Sequence, residues 1–279
     1  MALMDSVTTG KEKQPPRIMI YGAEGVGKST FAASAPKAIF IQTEDGLSEI
    51  DCAKFPLCAS LDDVLIQLKA VRDEEHEYQT LCIDSLDWLE RLIHARVSAD
   101  YGVKSIEKAD GGYGRGYVHA LTYWRQVIDL LNEIRSKRQM AVILVAHATI
   151  QKMDHPEYQS FDRFTPRLQK LANSLICEWV DAVLFATRRM RVDADTGKAA
   201  FGCLRFAPAV PRSGPTCTEE RSSEGSSPKA TRRARKRVRG ERVLRTNGSP
   251  AYIAKNRYSL PNEMSLSWQA FMESLSVKQ

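Results

Sequence analysis

The stretch GAEGVGKS, residues 22–29, matches G-x-x-x-x-G-K-[ST] in full, and its setting decides how the chain is read. Before it, RIMIY (17–21) is a short apolar run that reads as a buried strand; after it, KSTFAASA reads as a helix. Between a strand and a helix, such a loop turns its backbone N–H groups toward an anion, and the positive end of the helix faces the same point. A chance match on a surface loop is the alternative, and the flanking elements argue against it. The pattern expects nucleotide contacts from Gly22, Ala23, Glu24, Gly25, Val26, Gly27, Lys28, Ser29 and Thr30. Lys28 should reach the β- and γ-phosphates of ATP, and Ser29 should ligate Mg2+.

Outward from the loop, AIFIQ (38–42), TLCIDS (80–85) and MAVILVAH (140–147) are further buried-strand candidates. Between them, SLDDVLIQLKAVRDEE (60–75) puts Leu61, Val64, Leu65, Leu68 and Val71 on one helical face, with Ser60 placed to cap it. Helices near 86–100 and 117–137 flank a glycine-rich loop, DGGYGRGY (110–117). A polar loop is expected from 148 to 165, then a helix with Pro166 in its first turn. DAVLFATRRMRV and KAAFGCLRF read as strands joined by a DADTG turn, and a last helix is expected near 262–275. Strands alternating with helices imply an α/β fold with a mainly parallel sheet flanked by helices, followed by a C-terminal β-meander.

Three strand ends offer chemistry. Asp84 closes LCID, where a carboxylate beside the phosphate loop would hold the Mg2+ shell; a turn or helix-cap aspartate is the plainer alternative. Glu44 follows the strand after the phosphate-loop helix, where a base can orient or deprotonate an attacking water. Asp45 competes for that role, and a solvated loop glutamate is the bland reading. His147 closes VILVAH and could contact a γ-phosphate, or simply satisfy a strand end.

Of the 279 residues, 43% are hydrophobic and 27% charged, enough for one large domain or a domain with appendages. The formal charge of +6 is localised: residues 204–245 hold 12 Lys/Arg against 4 Asp/Glu, leaving the rest nearly neutral. Residues 207–240 are rich in Pro, Ser, Gly and Arg, and read as a disordered basic insert: a linker, a nucleic-acid arm, or a frame-shifted stretch. Residues 1–16 read as a flexible N-terminus, 17–206 as the ATPase core, and 241–279 as the core's last strands and helix. The longest purely apolar run, AVILVA (141–146), is far too short for a membrane span, and no signal-like segment opens the chain. No membrane partner and a cytoplasmic location are therefore expected. The six cysteines form no C-x-x-C pair and no metal-ligand spacing, and Cys82 and Cys177, in apolar segments, read as reduced core residues.

With the glutamate one strand after the phosphate loop, the hhhDS strand and the polar strand end in this order, the chain resembles the RecA-like recombinase ATPases. It is most similar to small phage members with an AAA-type domain, or single-strand annealing recombinases with a minimal core. The likeness covers residues 17–206 and 241–260. It implies a RecA-like P-loop NTPase fold, ATP and Mg2+ as cofactors, and hydrolysis stimulated by DNA. It also implies a homo-oligomeric ring or filament on single-stranded DNA in a bacterial host cytoplasm, with a single-strand binding protein as a further partner. In AKNRY, Lys255 and Arg257 alternate as strand neighbours on one face. The resemblance makes them a basic pair acting on a neighbour's γ-phosphate; a solvated edge strand is the alternative. Two loops would meet DNA by stacking and phosphate contacts: Tyr113, Arg115 and Tyr117 in one, Lys152, Tyr158, Phe161 and Arg163 in the other. Either is equally an ordinary surface loop. A helicase-type or loader ATPase, a small-molecule P-loop kinase and a nucleotide-dependent assembly switch are the rival functions.

Overall fold

The computed structural model describes residues 3–10, 14–154, 159–189 and 240–276. Tyr158, the expected strand KAAFGCLRF and all but the last residue of the basic insert lie outside the described residues. The description below concerns the compact unit of Met1–Arg188 and Arg242–Gln279; Arg189–Glu241 group separately.

Six strands run parallel: β1 (Arg17–Gly22), β2 (Ala38–Gln42), β3 (Ala53–Lys54), β4 (Thr80–Asp84), β5 (Ala141–Met153) and β7 (Ala182–Arg188). β6 (Phe161–Pro166), β8 (Arg242–Arg245), β9 (Lys255–Asn256) and β10 (Glu263–Ser265) join antiparallel. Across the sheet the order is β10-β8-β7-β1-β5-β4-β2-β3, so β5 stands between the phosphate-loop strand and the strand of Asp84. This is the mainly parallel α/β architecture expected from the sequence, with β7, β8 and β10 as the antiparallel C-terminal end.

The central strands β1, β2, β4 and β7 and the first half of β5 are mostly apolar because helices cover both faces. Met19, Tyr21, Ile41, Leu81, Ile83 and Leu144 point to one side. There they meet α2 (Leu61–Asp73), α3 (Leu86–Asp100), α4 (Arg115–Arg138) and α5 (Lys170–Trp179) through Leu68, Ile93, Trp124 and Ile176. Their alternate neighbours Ile18, Ile20, Phe40, Ile143, Val145 and Leu184 pack against Phe31 of α1 (Lys28–Ala33) and Trp268 and Phe271 of α6 (Trp268–Ser276). Ser60 caps α2 as expected: its hydroxyl accepts from Asp63 N while the Asp63 carboxylate accepts from Ser60 N.

Four expectations are corrected. The polar loop of 148–165 is in large part a hairpin, since β5 continues to Met153 and pairs residue for residue with β6. Its polar residues hide a period-two strand because one face is solvated. Pro166 consequently ends β6 rather than opening a helix, and α5 begins at Lys170. The last helix starts at Trp268, after β10. In the glycine-rich segment, Arg115 and Tyr117 belong to the first turns of α4, leaving Tyr113 in the connecting turn. Among the described residues no helix is long and apolar enough to cross a membrane.

Candidate active site

The parallel strands β1, β2 and β4 end together beside the middle of β5, with Gly22 opposite His147 and Gln42 opposite Asp84. Functional side chains gather on this edge. Gly22 has no room for a side chain, because an added Cβ would stand 2.3 Å from Ala186 O. Gly27 caps α1 at φ 108°, a left-handed conformation that favours glycine. These two positions set the loop's path and leave the first N–H groups of α1 facing outward.

Lys28 is buried, and its Nζ donates to Gly22 O and Ala23 O, each at 3.1 Å. Burial lowers the ammonium's pKa, while the carboxylates of Asp84, Asp87, Glu24 and Glu44 oppose that shift. Asp84 is equally buried; desolvation raises its pKa against a hydrogen bond with Ser29 and the charge of Lys28. The Ser29 hydroxyl thus stands near enough to Asp84 to oppose that rise. A buried ammonium held only by loop carbonyls, beside a hydroxyl–carboxylate pair, fits the phosphates and divalent ion of a nucleotide.

Glu44 Oε2 accepts from Ser85 Oγ at 2.9 Å, while the Thr43 hydroxyl donates to Ser85 O and accepts from Ser85 N. The turns after β2 and β4 are thereby tied together. His147 Nδ1 lies 3.8 Å from Glu44 Oε2, whereas Asp45 is exposed.

Sequence reasoning missed Asp87 and Arg167. Asp87, nearly inaccessible in the first turn of α3, meets His147 Nδ1 at 3.1 Å from both carboxylate oxygens and accepts from His147 N. Arg167 donates to the same carboxylate through Nε at 3.2 Å and Nη2 at 2.6 Å. Burial would raise the Asp87 pKa, but hydrogen bonds from His147 and Arg167 outweigh it and hold the carboxyl well below the usual range. One turn on, Glu90 accepts from Gln169 N, and burial pushes its pKa up to about 7. The run DSLD places two acids three apart across a strand end, a readable signal for Asp87; Arg167 has none, because only the hairpin returns it to His147. On the loop's other side, Arg242 of β8 reaches over Gly27, where its Nη1 would stand 2.6 Å from an added Cβ.

The remaining expected site residues are dispersed. Lys255 Nζ donates to the carbonyls of Cys177, Glu178 and Val180 at 2.7–2.9 Å, closing the C-terminal end of α5. Only Lys255 and Asn256 are strand; Arg257 is exposed in the following turn, 3.5 Å from Asp181. Both cations lie at the sheet edge opposite Lys28, since β9 pairs with the start of β7. Tyr113 is fully exposed and Arg115 exposed, whereas Tyr117 packs toward the core. On the hairpin, Lys152 stands across from Asp162 while Phe161 and Arg163 stand across from Met153 and Gln151, on the opposite face. Arg163 Nη2 donates to Ser249 O at 3.3 Å.

A glycine loop leading from a parallel strand into a helix, with the His147 strand beside it and the Asp84 strand one further, defines a mainly parallel α/β P-loop nucleotide-binding fold. Within that class the chain belongs to the AAA_24 family, an AAA domain, whose pattern matches residues 14–258. It is similar to the SPbeta prophage-derived uncharacterized protein YorG of Bacillus subtilis (strain 168), at 24% identity over 139 residues, 48% of this chain. The matched part is 42% of that relative's length. Among solved structures it is similar to the RadB recombinase, at 11% identity and a TM-score of 0.39, over 63% of this chain and 76% of that one.

Proposed function

We propose that the chain is a Mg2+-dependent ATPase acting on single-stranded DNA in phage or prophage recombination, as a homo-oligomer. The observation that carries the hydrolytic reading is Glu44, oriented by Ser85 and His147 on the edge where Lys28 and the Ser29–Asp84 pair sit. Lys28 exchanges its two loop carbonyls for β- and γ-phosphate oxygens. Ser29 and Asp84 hold Mg2+, which supplies charge neutralisation when bound. Glu44 takes a proton from the attacking water as the water oxygen bonds to the γ-phosphorus and the bond from that phosphorus to the β–γ bridging oxygen breaks, releasing ADP and phosphate.

Single-stranded DNA is assigned to the hairpin of β5 and β6 with Tyr113 and Arg115. The solvated hairpin face carries Ile150 and Lys152, with Asp162 across from the lysine, and Phe164 beside them stacks on Phe185; the apolar and basic pair suits bases and phosphates without sequence preference. Likeness to a prophage-derived protein supports the phage setting. In an assembly, Arg257 is the cation of the expected pair offered to a neighbour's nucleotide, being more than half exposed.

The test is ATP hydrolysis measured with and without single-stranded DNA, alongside annealing and unwinding of labelled oligonucleotides. Turnover that rises with DNA, together with annealing, supports the proposal. DNA-independent turnover argues for a kinase or assembly switch, and unwinding argues for a motor.

A further inference from the structure

We propose that Arg167 is a catalytic arginine supplied from within the chain to the γ-phosphate, an inference that rests on the ATPase reading above. Its backbone N donates to His147 O at 2.8 Å, which sets the residue directly behind the strand end facing Glu44. Its guanidinium then spans two groups. Nε and Nη2 hold Asp87, whose side chain is 3% exposed, while Nη1 points toward Glu24 of the phosphate loop, 3.9 Å away. Glu24 is the next residue after Gly22 and Ala23, whose carbonyls hold the Lys28 ammonium. The Nη1 edge therefore faces the end of the loop where Lys28 meets β- and γ-phosphate.

The anchoring suits this use. Arginine presents its N–H groups in a rigid fork, so two can stay on Asp87 while the Nη1 pair turns to an anion. At Nη1 the present partner is an exposed glutamate beyond ordinary hydrogen-bond distance, and a phosphoryl oxygen is a far stronger acceptor. Asp87 also holds His147, so one buried carboxylate orients two side chains toward the same place. Arg257, the exposed cation of the expected Lys255–Arg257 pair, sits at the opposite sheet edge and cannot serve its own chain's nucleotide.

The experiment compares full-length wild type, Arg167→Ala, Arg167→Lys, Asp87→Asn and the double variant in ATP hydrolysis, with ADP binding measured with and without aluminium fluoride. Arg167→Ala is expected to lower kcat by about 10³-fold or more, as loss of an arginine finger does, with the KM for ATP changed only a few-fold. It should also lose the tightening of ADP by aluminium fluoride, which mimics the transferring phosphoryl group. Lysine should restore little, lacking the fork. The deciding comparison is made against Asp87→Asn: removing Arg167 there should still cost at least about 10²-fold. If Arg167 merely neutralises Asp87, its loss in that background will have no effect, and the proposal falls. It also falls if Arg167→Ala keeps its kcat and its aluminium fluoride response. Should truncation unfold the chain, Arg167→Gln, which keeps a hydrogen bond to Asp87, gives the same reading. A wild-type chain that binds no ATP overturns the ATPase reading itself, a different result from a fast Arg167→Ala enzyme.

Discussion

At each end of the parallel sheet a buried aspartate gathers cations, Asp87 beside the phosphate loop and Asp181 at the opposite edge. Asp181 accepts from Arg17 at 2.8 and 3.1 Å and from Tyr258 at 3.0 Å, with Arg257 and Arg135 at 3.5 and 3.6 Å. Burial raises its pKa, and the hydrogen bond and charge of Arg17 lead the effects that reverse the shift. The two edges differ in what remains unspent. Around Asp181, Arg17 and Arg135 end on protein groups that join β1 and α4, and Lys255 nearby spends all three donors on carbonyls, while Arg257 stays more than half exposed at the rim. Around Asp87, Arg167 keeps an open edge, and buried Lys28 holds only two loop carbonyls with four carboxylates near it. A cluster of charge is thus a clamp where its donors are consumed, and a site where they are held in waiting.

The largest effects should separate these edges. Lys28→Ala is expected to abolish ATP binding. Glu44→Gln should retain ATP yet lose about 10²–10⁴-fold in turnover, as loss of a general base does. Equilibrium binding of a fluorescent ATP analogue and steady-state hydrolysis check both. Normal hydrolysis by Glu44→Gln with a dead Asp45→Asn would move the base to Asp45.

At the opposite edge, Asp181→Ala leaves half-buried Arg17 without its carboxylate. Breaking a fully buried pair costs about 3–5 kcal/mol, so a smaller loss of about 2 kcal/mol is expected here, read from urea unfolding. ATP affinity of the folded fraction should not change. A collapse of nucleotide binding in that variant would show that the two edges are not separate in function.

Within the nucleotide edge, Glu90 sharpens the comparison through pH. Its pKa is raised by burial from 4.5 to about 7. Between those values the folded chain keeps a proton that the unfolded chain has lost, so stability falls as pH rises through the window and stays lower above it. Full development of the shift corresponds to roughly 3 kcal/mol. Half-buried His94, with a pKa lowered by desolvation, acts in the opposite sense, but equally in wild type and Glu90→Gln. The variant should therefore gain on wild type as pH rises from 4.5 to about 7, then hold a constant advantage, measured by melting temperature. A difference independent of pH would show that Glu90 does not titrate in this range.

What was legible in the sequence follows from the range of the interactions. The phosphate loop, β1, β2 and β4 each declare themselves within a few residues, through glycine spacing and unbroken apolar runs. The position of Asp84 at the end of β4 and of Glu44 just after β2 was readable from the apolar runs, whereas His147, expected to close its strand, stands inside β5. The hairpin was hidden because a strand with one solvated face shows mixed polarity, and β5 continues past its buried half without a break. That mistake carried others with it: Lys152 is separated from Phe161 and Arg163 by pleat, and Arg167 is brought to His147. Asp181 was invisible as a hub because its partners lie at positions 17, 135, 257 and 258.

The smallest expected effect tests the clamp most directly. Lys255 sits at the C-terminal end of α5, where carbonyls lack intrahelical partners and the helix dipole is negative. Burial lowers the pKa of its ammonium, with the charge of Arg257 acting in the same direction, so the three carbonyl contacts offset a cost of confinement. Lys255→Met keeps the alkyl chain and removes only those contacts. A loss of about 1–2 kcal/mol is expected, with turnover per folded chain unchanged at all protein concentrations. The resemblance to RecA-like recombinases implies a different outcome, in which this lysine reaches a neighbour's γ-phosphate and its removal costs about 10³–10⁵-fold in rate. The two differ in which quantity moves. A folded Lys255→Met chain that binds ATP normally but hydrolyses it three orders of magnitude more slowly would mean that Lys255 leaves its carbonyls when subunits assemble.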